Sequence, residues 1–198
     1  YATEARDKGV LGDLTTIRCR LAHDGAIPRE GETEGWLPAH FFDPVTCGGG
    51  ALIDLGAHPI YLTNRLAGPA KTLSASLSSF YDYPVDDHSV VIVDYVSGAQ
   101  GIIEAGFVSK GSPFTLELYG TKGSLFVHDD QVQLNLGGNR LITKEELPDP
   151  LSYPMLQWVE AILRDEKPTI TKDDVIQLTK INEAAALSHR EGKRVTLL

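Results

Sequence analysis

Asp54 and His58 stand four residues apart, just after three glycines, in Gly48-Gly49-Gly50-Ala51-Leu52-Ile53-Asp54-Leu55-Gly56-Ala57-His58-Pro59. An imidazole takes or gives a proton near neutral pH. A carboxylate beside it holds its tautomer and favours its charged form. The two together are the equipment for moving a proton on and off a substrate hydroxyl. Leu52, Leu55, Pro59, Leu62 and Leu66 step by three and four, which predicts a helix over residues 52–66. On such a helix Asp54 and His58 lie one turn apart on one face, and Tyr61 and Arg65 extend their polar stripe. Pro59 lacks an N–H, so the Leu55 carbonyl loses its partner and a kink is expected beside His58. A plain structural reading competes: the carboxylate and imidazole satisfy each other in the core.

Other elements must position this pair. Residues 14–22 alternate in part and contain Thr15, Thr16 and Ile17, which predicts a strand. Residues 23–47 have no clean period, and a connection of that length is functional or disordered. Its aromatics, Trp36, Phe41 and Phe42, argue for order and function. His23 and His40 flank it and can each hydrogen-bond a ligand, and Trp36 can stack on a ligand's ring or close the loop onto the core. Residues 73–108 read as strands with Ser97-Gly98 as a turn, and Asp86-Asp87 reads as another turn. Further strands flank Gly120-Thr121-Lys122-Gly123, and residues 132–136 add one more. Met155, Val159 and Ile162 mark a short helix after Pro154. Thr171 to Asp174 fits a capping box for a second helix that Gly192 can close. Residues 195–198 are expected to form an edge strand. Strands dominate the middle with helices before and after, so the fold class is α+β: a mostly antiparallel open sheet with helices on one face.

These motifs, taken in order, resemble the glucose–fructose oxidoreductase / inositol dehydrogenase (Gfo/Idh/MocA) family. Gly-Gly-Gly-x-Leu-x-Asp-x-Gly-x-His with Leu62 and Leu66-Ala67-Gly68 carries the resemblance. So do Gly9 to Leu14, Asp43-Pro44, Leu118 to Leu125, and Glu183-Ala184-Ala185 with Ser188 to Val195. The resemblance covers nearly the whole chain. It implies a C-terminal substrate-binding and oligomerisation domain, with residues 1–10 as the tail of a linking helix. The dinucleotide-binding domain is then expected upstream, outside this chain. The implied activity is hydride transfer between NAD or NADP and a carbon bearing a hydroxyl, on a sugar, inositol or related polyol. The resemblance implies His58 as acid/base and Asp54 as the residue orienting substrate or His58. Tyr61 departs from the family's frequent acidic residue, which puts in doubt which ligand is oriented there. The family places a lysine of a Glu-Lys-Pro motif in its cofactor domain. Glu166-Lys167-Pro168 here falls far downstream, between two helices, and is read as a surface turn.

Composition bounds the alternatives. The chain has 198 residues, 42% hydrophobic and 23% charged, enough for one domain with a sizeable core. A formal charge of −9 argues against nucleic acid or an anionic membrane as partner. No apolar run reaches the length of a membrane span. Cys19 and Cys47 have no paired spacing, no ligand spacing suggests a metal, and a reducing cytoplasm is the default expectation. No G-x-G-x-x-G occurs, so the chain itself is expected to bind no cofactor tightly and to be inactive alone. An open sheet with one helical layer leaves a face to bury, which predicts a homodimer or homotetramer through the sheet. The rival reading is a regulatory module of the same fold that binds a sugar, nucleotide or protein without turnover.

Overall fold

The computed structural model describes residues 1–138 and 141–197. In chain order the helices are α1 (Ala2–Asp7), α2 (Pro44–Cys47), α3 (Ala51–Asp54), α4 (Ala57–Ala67), α5 (Pro154–Arg164) and α6 (Lys172–Glu191). The strands are β1 (Leu14–Ala22), β2 (Ala70–Ser78), β3 (His88–Tyr95), β4 (Gln100–Gly106), β5 (Thr115–Gly120), β6 (Ser124–His128), β7 (Gln131–Asn135), β8 (Ile142–Thr143) and β9 (Val195–Thr196). A short 3-10 turn, Ala39–Phe42, precedes α2. The expected edge strand at the C-terminus is β9; Leu198, which the sequence assigned to it, lies outside the described residues.

All nine strands form one sheet, in the order β8-β7-β6-β5-β1-β4-β3-β2-β9. Every pairing is antiparallel except the central one, β1 with β4. The α+β class expected from the sequence is therefore what the chain adopts. Alternation sets the two faces. Along β3, Ser89, Val91, Val93 and Tyr95 are buried while His88, Val90 and Ile92 are exposed. The inner row continues through Ile17 and Cys19, Ile103, and Leu116 and Leu118, all but Leu116 without exposed surface. Two helices cover this row: α4 packs on β1 and β4, and α6 on β2. Burial pushes the Cys19 thiol up to about 12, so it stays protonated as a small apolar filler. Among the described residues, no helix is long and apolar enough to cross a membrane.

The helix predicted over residues 52–66 is two helices. It breaks at Leu55 and Gly56: the Gly56 N–H reaches back to the Ala51 carbonyl, and His58 N–H donates to Leu55. Gly56 has no room for a side chain, because a Cβ there would lie 2.2 Å from the Leu52 oxygen. Pro59 then falls in the first turn of α4, where its missing N–H costs nothing, and the chain bends before it rather than at it.

Candidate functional site

The glycine run makes a turn that the sequence explains only in part. Gly48 closes α2 with φ +76°, a left-handed conformation that favours glycine. Gly50 is needed for a different reason: a Cβ on it would sit 1.9 Å from the Asp86 carbonyl oxygen. Asp86 was expected in a hairpin turn. Its carboxylate instead accepts from Gly50 N at 3.1 Å and Leu52 N at 2.8 Å, capping α3. The Ala51 N–H adds a bond to the Asp86 carbonyl. Burial pushes the Asp86 carboxyl above its usual range, against the pull of those backbone N–H groups. Asp87 is not a turn residue either. It is fully buried and accepts from the N–H groups of Phe80 and Tyr81. The role of Asp86 was missed because a local turn pattern says nothing about a helix thirty-odd residues away. The one sequence clue was a pair of carboxylates beside β-branched residues that had to be buried.

From this turn Asp54 ends α3 and His58 begins α4, and both are exposed. Neither side chain makes a hydrogen bond or ion pair with any described residue. The broken helix puts them on separate segments, and they do not bond each other. The surrounding α3 and α4 residues Ala51, Leu52, Pro59, Ile60, Thr63, Leu66 and Ala67 are buried. His58 lines a shallow cleft of about 190 Å³ with Tyr61, Ile170, Val175 and Leu178. Tyr61 is half-buried, and the Arg65 guanidinium lies 5.9 Å from its ring centre.

His23 and Trp36, the candidate substrate ligands of the long connection, lie together. The His23 ring stacks on Phe107 at 5.2 Å between centres and lies 4.8 Å from the Trp36 ring. Trp36 is anchored by its indole N–H to Asp24 at 3.0 Å. The Gly25 N–H donates to His23 Nδ1 at 2.9 Å, so a neutral His23 carries its proton on Nε2. Burial pushes the His23 imidazole down, and the nearby Asp54 and Asp24 carboxylates oppose that. His58 and Tyr61 open toward α6.

The long connection is ordered by a small core of its own, built from Ala26, Leu37, Ala51, Ala105 and Phe107. Phe42 stacks on Tyr83 at 3.9 Å and meets Phe107 edge-on. His40, weighed as a polyol ligand, packs beside Phe41 on the exposed 3-10 turn. Lys167 is exposed between α5 and α6, as the turn reading expects. Among the described residues no group of three or more His, Cys, Asp or Glu side chains is placed to hold a metal.

A sequence model of the GFO/IDH/MocA C-terminal domain matches residues 1–126. No curated protein matches the sequence. Solved structures match it closely in shape. An NAD binding oxidoreductase from Klebsiella pneumoniae superposes with TM-score 0.81 at 19% identity, covering 100% of this chain and 62% of that one. Levoglucosan dehydrogenase in complex with NADH and L-sorbose gives TM-score 0.83 at 19% identity, covering 100% and 62%. Aldose-aldose oxidoreductase from Caulobacter crescentus, complexed with glycerol, gives 0.83 at 22% identity, covering 99% and 59%. At these identities the likeness is one of fold. The chain spans less than two thirds of the length of each of these relatives.

Proposed function

We propose, from the premise that this chain belongs to the GFO/IDH/MocA C-terminal domain family, that it is the substrate-binding and catalytic domain of an NAD(P)-dependent oxidoreductase. The substrate is a sugar, inositol or related polyol, and the reacting group is CH–OH. The observation that carries this reading is the exposure of two polar side chains with no partner among the described residues, Asp54 and His58, beside the buried Ala51, Leu52, Pro59 and Ile60. Mutual satisfaction in a core would need both groups buried and bonded, and they are neither.

In this reading His58 takes the proton from the substrate hydroxyl on oxidation and returns it on reduction. Asp54 orients the substrate and, through its field, favours the imidazolium form of a nearby histidine. His23 offers its Nε2–H to a substrate oxygen, and its neutral form suits an uncharged hydroxyl. Trp36, 46% exposed, offers a ring face to an apolar sugar face. Tyr61 borders the His58 cleft.

The residues present do not fit a dinucleotide. Among the described residues the parallel strand pair is β1 with β4, and β1 runs into the long connection of residues 23–47 rather than directly into a glycine-rich turn and a helix, the arrangement that cradles a pyrophosphate; the later glycine run opens only the four-residue α3. NAD or NADP is accordingly assigned mainly to a domain outside residues 1–198, and no metal is invoked. We assign the open sheet face to a second copy of the chain, in a homodimer or homotetramer. The exposed Val90 and Ile92 there, and Val96 just beyond β3, support it. Two unbridged cysteines support a reducing, cytoplasmic setting. Calorimetry on residues 1–198 tests the division of labour: no tight NAD(P) binding and no dehydrogenase turnover are expected. Tight binding by this domain alone contradicts the assignment.

A further inference from the structure

One face of α6 borders two cavities in succession, both on the helix-covered side of the sheet. Asp174, Val175 and Leu178 line the His58 cleft of about 190 Å³. Leu178, Thr179, Asn182, Glu183 and Ala186 line a larger cavity of about 440 Å³ beside the glycine run. These positions recur at helical spacing along a single stripe, and Leu178 belongs to both cavities. The other wall is continuous too. Gly48, Gly49 and Ile53 border the larger cavity, and Ala57, His58 and Tyr61 the smaller. The two cavities are therefore parts of one groove between α6 and the α3–α4 pair. It runs about 18 Å from Asp174 to Ala186, at a rise of ~1.5 Å per residue.

The larger cavity combines apolar walls with unengaged polar groups. Leu52, Leu77 and Leu178 supply apolar surface. Asn182 Oδ1 is buried and has no hydrogen-bond partner among the described residues. A buried acceptor left in that state is costly, so it calls for a donor from outside the chain. Glu183 is exposed and makes no hydrogen bond or ion pair among the described residues. The Thr179 hydroxyl donates to the Val175 carbonyl at 3.0 Å and keeps its lone pairs. Asp86 adds a second carboxylate at the α3 end, where it accepts from Gly50 N and Leu52 N. Acceptors prevail, so a ligand must bring donors. An ionised carboxylate or phosphate brings charge of the wrong sign, on a chain whose formal charge is −9. A ring of hydroxyls with an apolar face matches both the acceptors and the walls. The volume is that of a small-molecule pocket, for which about 300–1,000 Å³ is typical.

We propose that the larger cavity is a second sugar subsite, so that the substrate is a disaccharide or related glycoside rather than a free monosaccharide. This rests on the reading of His58 as the group that moves the substrate proton. The reacting ring lies at His58, the glycosidic link passes Leu178, and the other ring occupies the larger cavity. There Asn182 Oδ1 and Glu183 accept from its hydroxyls. The reaction is the one proposed above, and the glycosidic bond stays intact.

Steady-state kinetics on the intact enzyme test it. The probes are glucose, galactose, xylose and mannose, the disaccharides cellobiose, lactose, xylobiose and mannobiose that carry each as the terminal ring, and myo-inositol. For at least one pair the disaccharide is expected to show kcat/KM at least tenfold above that of its monosaccharide. Asn182→Leu should lower that ratio at least tenfold, and the exposed Glu183→Gln at least threefold. Monosaccharides oxidised as well as their disaccharides, or oxidation of myo-inositol alone, overturn the subsite and leave the role of His58 standing. An unchanged ratio in folded Asn182→Leu does the same, as does an unchanged ratio in Glu183→Gln where the first variant fails to fold. Oxidation of none of the probes overturns the subsite together with the reading of His58.

Discussion

His58 has no bond to lose in the fold, so replacing it separates chemistry from stability. An exposed, unbonded side chain changes stability by no more than about 0.5 kcal/mol. His58→Ala should therefore melt close to wild type. His23 behaves differently. Its imidazole is pushed down by burial from 6.5, so the fold favours the neutral ring. The stability this contributes is complete above the unfolded value and is lost as pH falls through the lowered folded one. His23→Asn keeps a polar group without a titration. The gap in melting temperature between wild type and His23→Asn should shrink as pH is lowered from about 7 to about 5; a constant gap would remove the histidine from that dependence. Asp54, His58, His23, Trp36 and Tyr61 were all legible as polar or aromatic residues in an otherwise apolar or irregular stretch. That Asp54 and His58 stand on separate helices was not, because it depends on a break that local periodicity does not mark.

That break, and the turn before it, belong to the scale of the element. Periodicity found the residues of α3 and α4 and missed the join, because Leu55 fits an unbroken apolar stripe. What decides is a close approach, Gly56 against Leu52, and a long-range cap, Asp86 onto Gly50 and Leu52. The two outer glycines of the run should respond unequally. Gly48→Ala strains a left-handed residue and should cost about 1–2 kcal/mol. Gly50→Ala drives a Cβ into the Asp86 backbone and should cost more, seen as the lower denaturation midpoint of the two; the reverse order would show that the turn is set otherwise. For Asp86 the sign follows from its raised carboxyl. Its favourable contribution is present at low pH and lost as pH rises through the folded value, so Asp86→Asn should compare more favourably with wild type at pH 6 than at pH 3. The capping box at Thr171 and Asp174 was readable in the sequence because both partners are local. Local signals were legible and distant ones were not.

At the scale of the whole molecule, one layer of helices leaves one face of a nine-stranded sheet open. The order of strands and helices made that expected from the sequence, and the antiparallel hairpins followed from their turn residues. The parallel contact of β1 with β4 did not, since it joins strands some eighty residues apart. If the open face holds a second copy, Ile92→Glu should lower the mass seen by light scattering to that of a monomer without lowering the melting temperature; a wild-type monomer at every concentration would refute the interface. The central claim is that His58 moves the substrate proton in the intact enzyme. Single-turnover hydride transfer, measured across pH on intact wild type and His58→Ala, tests it most directly. The account predicts a loss of about 10²–10⁴-fold, with cofactor affinity unchanged, and disappearance of the limb of the pH–rate profile that reports the imidazole. Wild-type rates and an unchanged profile in folded His58→Ala would contradict it.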